Sequence, residues 1–474
     1  MAIDKPGAIG GAEAPSEGRF VRVGMAMADW SQRWFPDAFI FALIGVAIVF
    51  VAGLFTGAPA RDLVKYFGDG FWSLIPLTMQ MALIIVGGYV VASSPPVHAL
   101  ILALARVPRT PRGAVVLVAL FSMLTSLISW GFSLVISGIL VRAIVRNIPR
   151  VDYRAIGAAG YLGLGTVWAL GLSSSPALLM ATQASIPPAL FKISGVIPLS
   201  QTIYSWPSLL TVVIIIAAST AVAFVTMPKG SSKTAESFGV TEGFESPKLE
   251  PRSTPAEWLE YAPVLSVGIG ILGLAYLRQV VATRGIVAAV DLNTFNLLFI
   301  MAGLLLHWRP RSFVRAVNNA VPATAGVLIQ FPFYGGIFGI VTMSHISSEL
   351  AGFFVRVSTH GTFPVLVAMY SAFLGIFVPS AGSKWIIEAP YVLQAAKDLQ
   401  VNMGWVVQVY NTAESLPNLI NPFFMLPILG ILKIRARDLV GYALLYFVVN
   451  SILVMFLVWF LARSIPFIPP IGLP

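Results

Sequence analysis

Cysteine is absent from the 474 residues, which excludes disulfides, thiolate metal sites and cysteine nucleophiles. Charge is scarce too: 11% of residues are charged, against about 25% in soluble domains. No Gly-Lys-Ser/Thr phosphate loop occurs, which argues against ATP hydrolysis within the chain. No apolar segment carries paired aspartates or a His-Glu-x-x-His run, so the expectation is no metal, no cofactor and no intramembrane enzyme.

What the chain has in abundance is apolar surface. Hydrophobic residues make up 57% and the mean hydropathy is +0.85. Apolar stretches long enough to cross a bilayer recur along its length, the pattern of an all-α polytopic membrane protein. The net charge of +10 is spread through short loops, where Lys and Arg set topology and attract anionic headgroups; nucleic acid is not an expected partner. Residues 1–35 read as a polar N-terminal segment without the pattern of a cleaved signal peptide.

Near-continuous spans are predicted at 36–56, 205–227, 262–282, 292–308 and 440–462. Four other apolar regions contain breaks. Region 71–106 is interrupted at Ser93-Ser94-Pro95-Pro96, and 321–358 at the FPFYGG run from Phe331 to Gly336. Each then has an arm too short for the roughly 30 Å core of a bilayer, which predicts re-entrant helical hairpins. Regions 113–146 and 362–398 are broken at SWGFS (129–133) and PSAGS (379–383).

The breaks pair up. Arg61 to Lys65 precedes the first hairpin and Arg311 to Arg315 the second, and Ser133 matches Ser383 at the same offset of 250 residues. This predicts a first transport repeat at 36–227, a flexible hydrophilic linker at 228–261 and a linking helix at 262–282. A second repeat follows at 283–464, with a tail at 465–474. Each repeat contributes an even number of crossings, so the single linking helix inverts the second relative to the first. Inverted repeats with discontinuous helices are the architecture of secondary transporters. About nine spans plus two hairpins result. One face then collects 19 Lys/Arg and the other 10, with Lys384 inside, which places the N-terminus in the cytoplasm.

Helix breaks expose peptide groups that hydrocarbon tolerates only where protein or a water-filled cavity satisfies them. Helices opening near Ser133 and Ser383 would aim positive dipole ends at a carboxylate. Ser173-Ser174-Ser175-Pro176 combines a preferred cap with a first-turn proline, and Ser415, Pro417, Asn418, Asn421 and Pro422 form its rough counterpart. Taken singly, such serines and glycines are ordinary packing residues of membrane helices; their symmetric recurrence is what points to a transport site.

Lys384, Glu388 and Glu414 lie where each charge costs roughly 3 kcal/mol to insert. Lys384 and Glu388, four apart, can pair on one helical face. The alternative is that Lys384 offers a counter-charge to a substrate carboxylate, with Glu388 holding it. Glu414 has no local partner in sequence and is either a proton carrier or a second partner for Lys384. His98 and His345 read as interfacial.

At these residues the chain resembles the AtoE-type short-chain fatty acid transporter family, within the larger ion-transporter superfamily. The matching stretches are GDGFWSLIPLTMQMALIIVGGYVVASSPPV (68–97), ISWGFSLVISG (128–138), AGLLLHWRP (302–310), QFPFYGGI (330–337), VPSAGSKWIIEAPYV (378–392) and INPFFMLPILGI (420–431). The resemblance implies uptake of small monocarboxylates such as butyrate or acetoacetate across a bacterial inner membrane. It also implies a homodimer with a scaffold and a moving, elevator-type transport domain. Carried over, the substrate site comprises Ser93, Ser94, Trp130, Gly131, Phe132, Ser133, Ser173, Ser174, Ser175, Phe331, Pro332, Phe333, Gly335, Gly336, Ser380, Gly382, Ser383, Lys384, Trp385, Asn418 and Asn421. Glu388 and Glu414 are the candidates for coupling H⁺ or Na⁺. An exporter or antiporter of a larger amphipathic acid, and a passive channel, are the competing readings.

Overall fold

The computed structural model describes residues 38–228, 233–240, 251–252, 254–377 and 381–471. The 1–35 segment, parts of the linker, and Pro379 and Ser380 of the second break lie outside the described residues.

The first half begins with α1 (Ala38–Phe55) and the amphipathic α2 (Ala60–Ser73). A hairpin of α3 (Ile75–Ala92) and the short α4 (Pro95–Leu104) follows, turning at Ser93-Ser94 as expected. Next come α5 (Pro111–Ser126) and α6 (Trp130–Asn147), separated by the break at 127–129. Helix α7 (Tyr153–Leu162) continues through a π turn at Gly163–Val167 and a 3₁₀ turn at Trp168–Leu170 towards α8 (Ser175–Ala181). The half closes with α9 (Pro188–Ser194) and α10 (Trp206–Thr226). Three connecting helices, α11 (Glu257–Tyr261), α12 (Val264–Arg284) and α13 (Ile286–Ala289), lead on.

The second half repeats the order: α14 (Leu292–His307), α15 (Pro310–Ala320), the hairpin α16 (Ala325–Met343) and α17 (Ile346–Val357), then α18 (Phe363–Phe377), α19 (Ala381–Asp398), α20 (Met403–Asn418), α21 (Pro422–Leu432) and α22 (Ala436–Ala462). Helices α2, α3 and α7 start at 60, 75 and 153; α15, α16 and α20 start at 310, 325 and 403, each 250 residues on. The duplication read from the sequence is thus a repeat of element boundaries. Among the described residues there is no strand, only isolated bridges joining Gly195 and Val196 to Ile471.

Burial divides the helices into two populations. Seven helical stretches among the described residues are long and apolar enough to cross a membrane. In Val264–Arg284 and Trp206–Thr226 only 22% and 28% of the span is buried, so most of each apolar surface faces outward. In Tyr153–Ala181 the share is 89%, and every residue of α20 is buried. The π turn, α19 and α20 therefore form the interior.

Two expectations are overturned. The FPFYGG run does not interrupt its hairpin: α16 runs unbroken through Pro332, and the turn falls at Ser344-His345. The reason is close packing. A Cβ on Gly335 would lie 2.6 Å from Gly70 O, and one on Gly339 would collide with Tyr66 O, so α16 and α2 touch backbone to backbone. Small residues spaced four apart permit this approach. The linker is also less free than predicted. Asp152 caps α7 by accepting from Arg154 N (3.0 Å) and Ala155 N (3.1 Å), and also accepts from Lys233 N (3.1 Å). Tyr153 N donates to Lys233 O (2.8 Å), and Ala235 and Val240 are buried. Residues 233–240 are held against the start of α7.

His307, not singled out in the sequence, is buried between Val90 O and Ser312 Oγ, each 2.8 Å from a ring nitrogen. It ties the end of α14 to α3 and α15.

Because Gly335 has no room for a methyl, Gly335→Ala should cost about 1–3 kcal/mol of stability through overpacking. Gly68→Ala, where nothing lies within 4 Å, should cost nothing. Thermal unfolding of the detergent-purified chain checks both.

Candidate functional site

The breaks are satisfied locally and then joined to one another. Ser129 caps α6, accepting from Phe132 N, and Ser133 Oγ donates to Ser122 O (2.7 Å). Trp130 N, the first donor of α6, is received by Ser173 Oγ at 2.7 Å, and Ser173 N donates back to Leu127 O at 3.2 Å. Ser174 Oγ caps α8 by accepting from Ala177 N (3.1 Å), with Pro176 in its first turn. The predicted Ser-Pro start is therefore present, and the two breaks of the first half are stitched together by Ser173.

The second half supplies the facing wall. Gly382, in the first turn of α19, is enclosed by Ser175 Cβ, Met81 Sδ and Phe331 Cζ; a Cβ there would sit 3.4, 3.8 and 3.8 Å from them. Helices α3, α8, α16 and α19 thus converge on one point, with serine on one side and thioether and phenyl groups on the other. Tyr410 OH donates to Ala381 O (2.7 Å), fixing the start of α19 to α20. Asn418 Nδ2 reaches Leu164 O in the π turn (3.4 Å) while its Oδ1 is buried without a partner. Asn421 Nδ2 lies 3.5 Å from Ile376 O, linking the 419–421 break to the end of α18. Trp130, Gly131 and Phe132 are half-buried, so the α6 end of this region reaches the surface.

Other residues named from the sequence lie elsewhere. Phe333 packs edge-on against Phe39 (5.2 Å) and Phe71 (5.4 Å), Gly335 against Gly70, and Gly336 against Phe67, all in the layer of α1 and α2. Pro332 is buried within α16. Ser93 and Ser94 donate to Val90 O and Val91 O of their own helix. Ser380 lies outside the described residues.

The charged residues form a cluster one turn further along α19. Lys384 Nζ lies 3.2 Å from Glu388 Oε1 and 2.7 Å from Glu414 Oε2, ionic contacts outside hydrogen-bond alignment. It donates to Ser371 O (2.7 Å) and sits 4.4 Å above the Tyr410 ring. Ser371 Oγ donates to Glu388 Oε2. All three charged side chains are at most 1% exposed. Glu414 is thus a second partner for Lys384, one of the two roles expected for it, brought to the lysine from another helix. Trp385, fully buried, packs against Tyr410 at 4.7 Å. Among the described residues no group of three His, Cys, Asp or Glu is arranged to hold a metal.

Residues 19–461 match the family model described as short chain fatty acid transporter. The chain is 36% identical over 426 residues to a provisionally named short-chain fatty acid transporter of Escherichia coli (strain K12), covering 89% of this chain and 96% of that one. A protein of Haemophilus influenzae bearing the same provisional name is 33% identical over 433 residues, with the same coverage. Among solved structures, the Alcanivorax borkumensis YdaH transporter, described as having an unusual topology, superposes with a TM-score of 0.58 at 14% identity (90% of this chain, 98% of that one). Neisseria gonorrhoeae MtrF, described within a class of antimetabolite efflux pumps, also gives 0.58 at 14% (96% and 100%). At that identity the likeness is one of fold.

Removing one member of a buried ion pair strands the other, so Lys384→Met should cost about 3–5 kcal/mol. Lys65→Met, which breaks an exposed pair with Asp69, should cost about 0–1 kcal/mol. Unfolding midpoints of the two variants measure the contrast.

Proposed function

Starting from a chain that belongs to the short chain fatty acid transporter family, transporters and not enzymes, we propose secondary active carriage of small monocarboxylates. Butyrate and acetoacetate are the substrates we assign, taken up across a bacterial inner membrane with H⁺ or Na⁺. The observation that carries this reading is the convergence at Gly382, where interrupted helices from both halves meet beside Phe331 and Met81. The N-terminal ends of α6 and α19 receive the carboxylate, and the apolar side chains receive the short acyl tail and set its length.

The same reading makes the two halves inverted repeats, α12 supplying the odd crossing between them. The buried interior of α7, α8, α19 and α20 moves against a scaffold that includes α1 and α14. The N-terminus is cytoplasmic, and two copies associate through their scaffolds. Accumulating an anion against a negative interior requires a driving cation, and Glu388 and Glu414 are the residues that serve it.

Purified protein in liposomes tests the reading directly. Labelled butyrate and acetoacetate should enter saturably under an imposed H⁺ or Na⁺ gradient and exchange in counterflow. Non-saturable flux would mark a channel, and no uptake of any short acid would remove the assignment.

Gly382→Ala tests the location. The added methyl meets its neighbours at ordinary contact distances, so the fold should survive. Uptake of butyrate should fall by roughly tenfold in kcat/KM, since one methyl in an apolar pocket is worth about 1–3 kcal/mol.

A further inference from the structure

The cluster on the other face of α19 has an unbalanced charge. One ammonium, Lys384, meets two carboxylates, Glu388 and Glu414, and all are withdrawn from solvent. With both acids ionised the cluster carries one net negative charge in the interior of a membrane protein. An uncompensated buried charge is costly enough that a group in this position neutralises instead.

Geometry says which acid does so. Glu388 accepts a hydrogen bond from Ser371 Oγ at Oε2, while its Oε1 has the ionic contact with Lys384 Nζ alone. That environment favours the ionised form. Among the described residues Glu414 accepts no hydrogen bond at either oxygen: Oε2 has the ionic contact with Lys384 alone, and Oε1 is buried with no partner. The remaining groups around Glu414 are Ser371 and Gly375 on α18, and Tyr410 and Pro417 on its own helix. Behind Glu388, the hydroxyls of Tyr370 and Tyr391 pair at 2.9 Å. The π turn and α22 also pack on α20, and among the described residues they bring no charged side chain to the cluster.

We propose that the Lys384–Glu388–Glu414 cluster holds one exchangeable proton, carried on Glu414 Oε1, and that this proton is the ion coupled to carboxylate movement. The proposal rests on the transport reading above and narrows it. A metal cation is the weaker fit, because it would have to share Glu414 with an ammonium 2.7 Å away and be repelled by it. A proton needs no coordination shell, only an acceptor for the O–H it creates. Bound together with a monocarboxylate anion, it also makes the loaded carrier electrically neutral relative to the empty deprotonated one. A Cβ on Gly375 of α18 would lie 3.1 Å from Glu414 Oε2, so α18 covers the carboxylate on the side of Lys384.

Infrared spectra of the full-length, detergent-purified chain at neutral pH test the proton without any substrate. A protonated carboxyl has a carbonyl stretch that a carboxylate lacks. We expect this band in the unaltered protein, its loss in Glu414→Gln and a shift in frequency in Glu414→Asp. Exposed Asp69→Asn should leave it alone. Gln is the isostere of the protonated acid and leaves a neutral Lys384–Glu388 pair, so that variant should fold. A missing band, or one indifferent to both changes at Glu414, overturns the proposal. In liposomes without sodium, an inward proton gradient should drive butyrate accumulation that Glu414→Gln abolishes. Accumulation driven by sodium at equal pH on both sides overturns the coupling. A Glu414-dependent band in a protein that moves no short acid supports the proton site while removing the transport reading.

Discussion

Hydrocarbon offers no hydrogen bonds, so each peptide group freed where a helix stops short must find its partner inside the protein. This requirement organises the interior. The α5–α6 break is closed by Ser129 and Ser173, the latter reaching across from the second break of the same half. The breaks of the second half are met by longer side chains, one of them supplied by the first half. Tyr161 OH donates to Asn418 O (2.7 Å), Tyr410 OH donates to Ala381 O (2.7 Å), and Asn421 extends towards Ile376 O. Where a break is tied to another break, as Ser173 ties the two of the first half, the interrupted segments cannot lie apart. Their approach at Gly382 is in keeping with the need to satisfy the backbone inside the protein.

The same constraint separates interior from rim. Helices such as α10 and α12 satisfy their own backbones completely and need only an apolar exterior. The π turn at Gly163–Val167, by contrast, is wrapped on all sides, because its irregular hydrogen bonding would fail in lipid. The glycine contact of α16 with α2 belongs to the rim population. There the gain is van der Waals contact between smooth surfaces, since lipid tails supply no hydrophobic drive to bring two apolar helices together.

Local chemistry and repetition were legible in the sequence; long-range contact was not. The hairpin turn at Ser93-Ser94, the cap at Ser174 and the offset of 250 residues all rest on features within a few residues or on self-comparison. FPFYGG misled because proline and glycine signal either a break or close packing, and only α2 decides between them. The linker's attachment depends on Asp152, a good cap whose second oxygen accepts from both Lys233 N and Arg154 Nη2. His307 had no signal beyond its place in a hydrophobic run, its two partners coming from 5 and 217 residues away. The partner of Glu414 is 30 residues distant by number and reaches it from a different helix.

Helix α19 is where the two kinds of site meet. Gly382 and Lys384 are two residues apart, about 200° around a helix, so the glycine faces α3, α8 and α16 while the ammonium faces α18 and α20. Lys384 is fully engaged on its own side by two carboxylates, a carbonyl and an aromatic face. In the transport reading proposed above, an incoming carboxylate is then left to the peptide groups at the helix ends that no serine caps. Such an arrangement keeps ligand and proton from competing for one charge. It also gives them a shared mechanical element, because any shift of α19 that reshapes the space beside Gly382 must change the distances within the cluster. In the proposed mechanism, the charge state on one face of α19 and occupancy on the other are thereby two inputs to the position of the same helix.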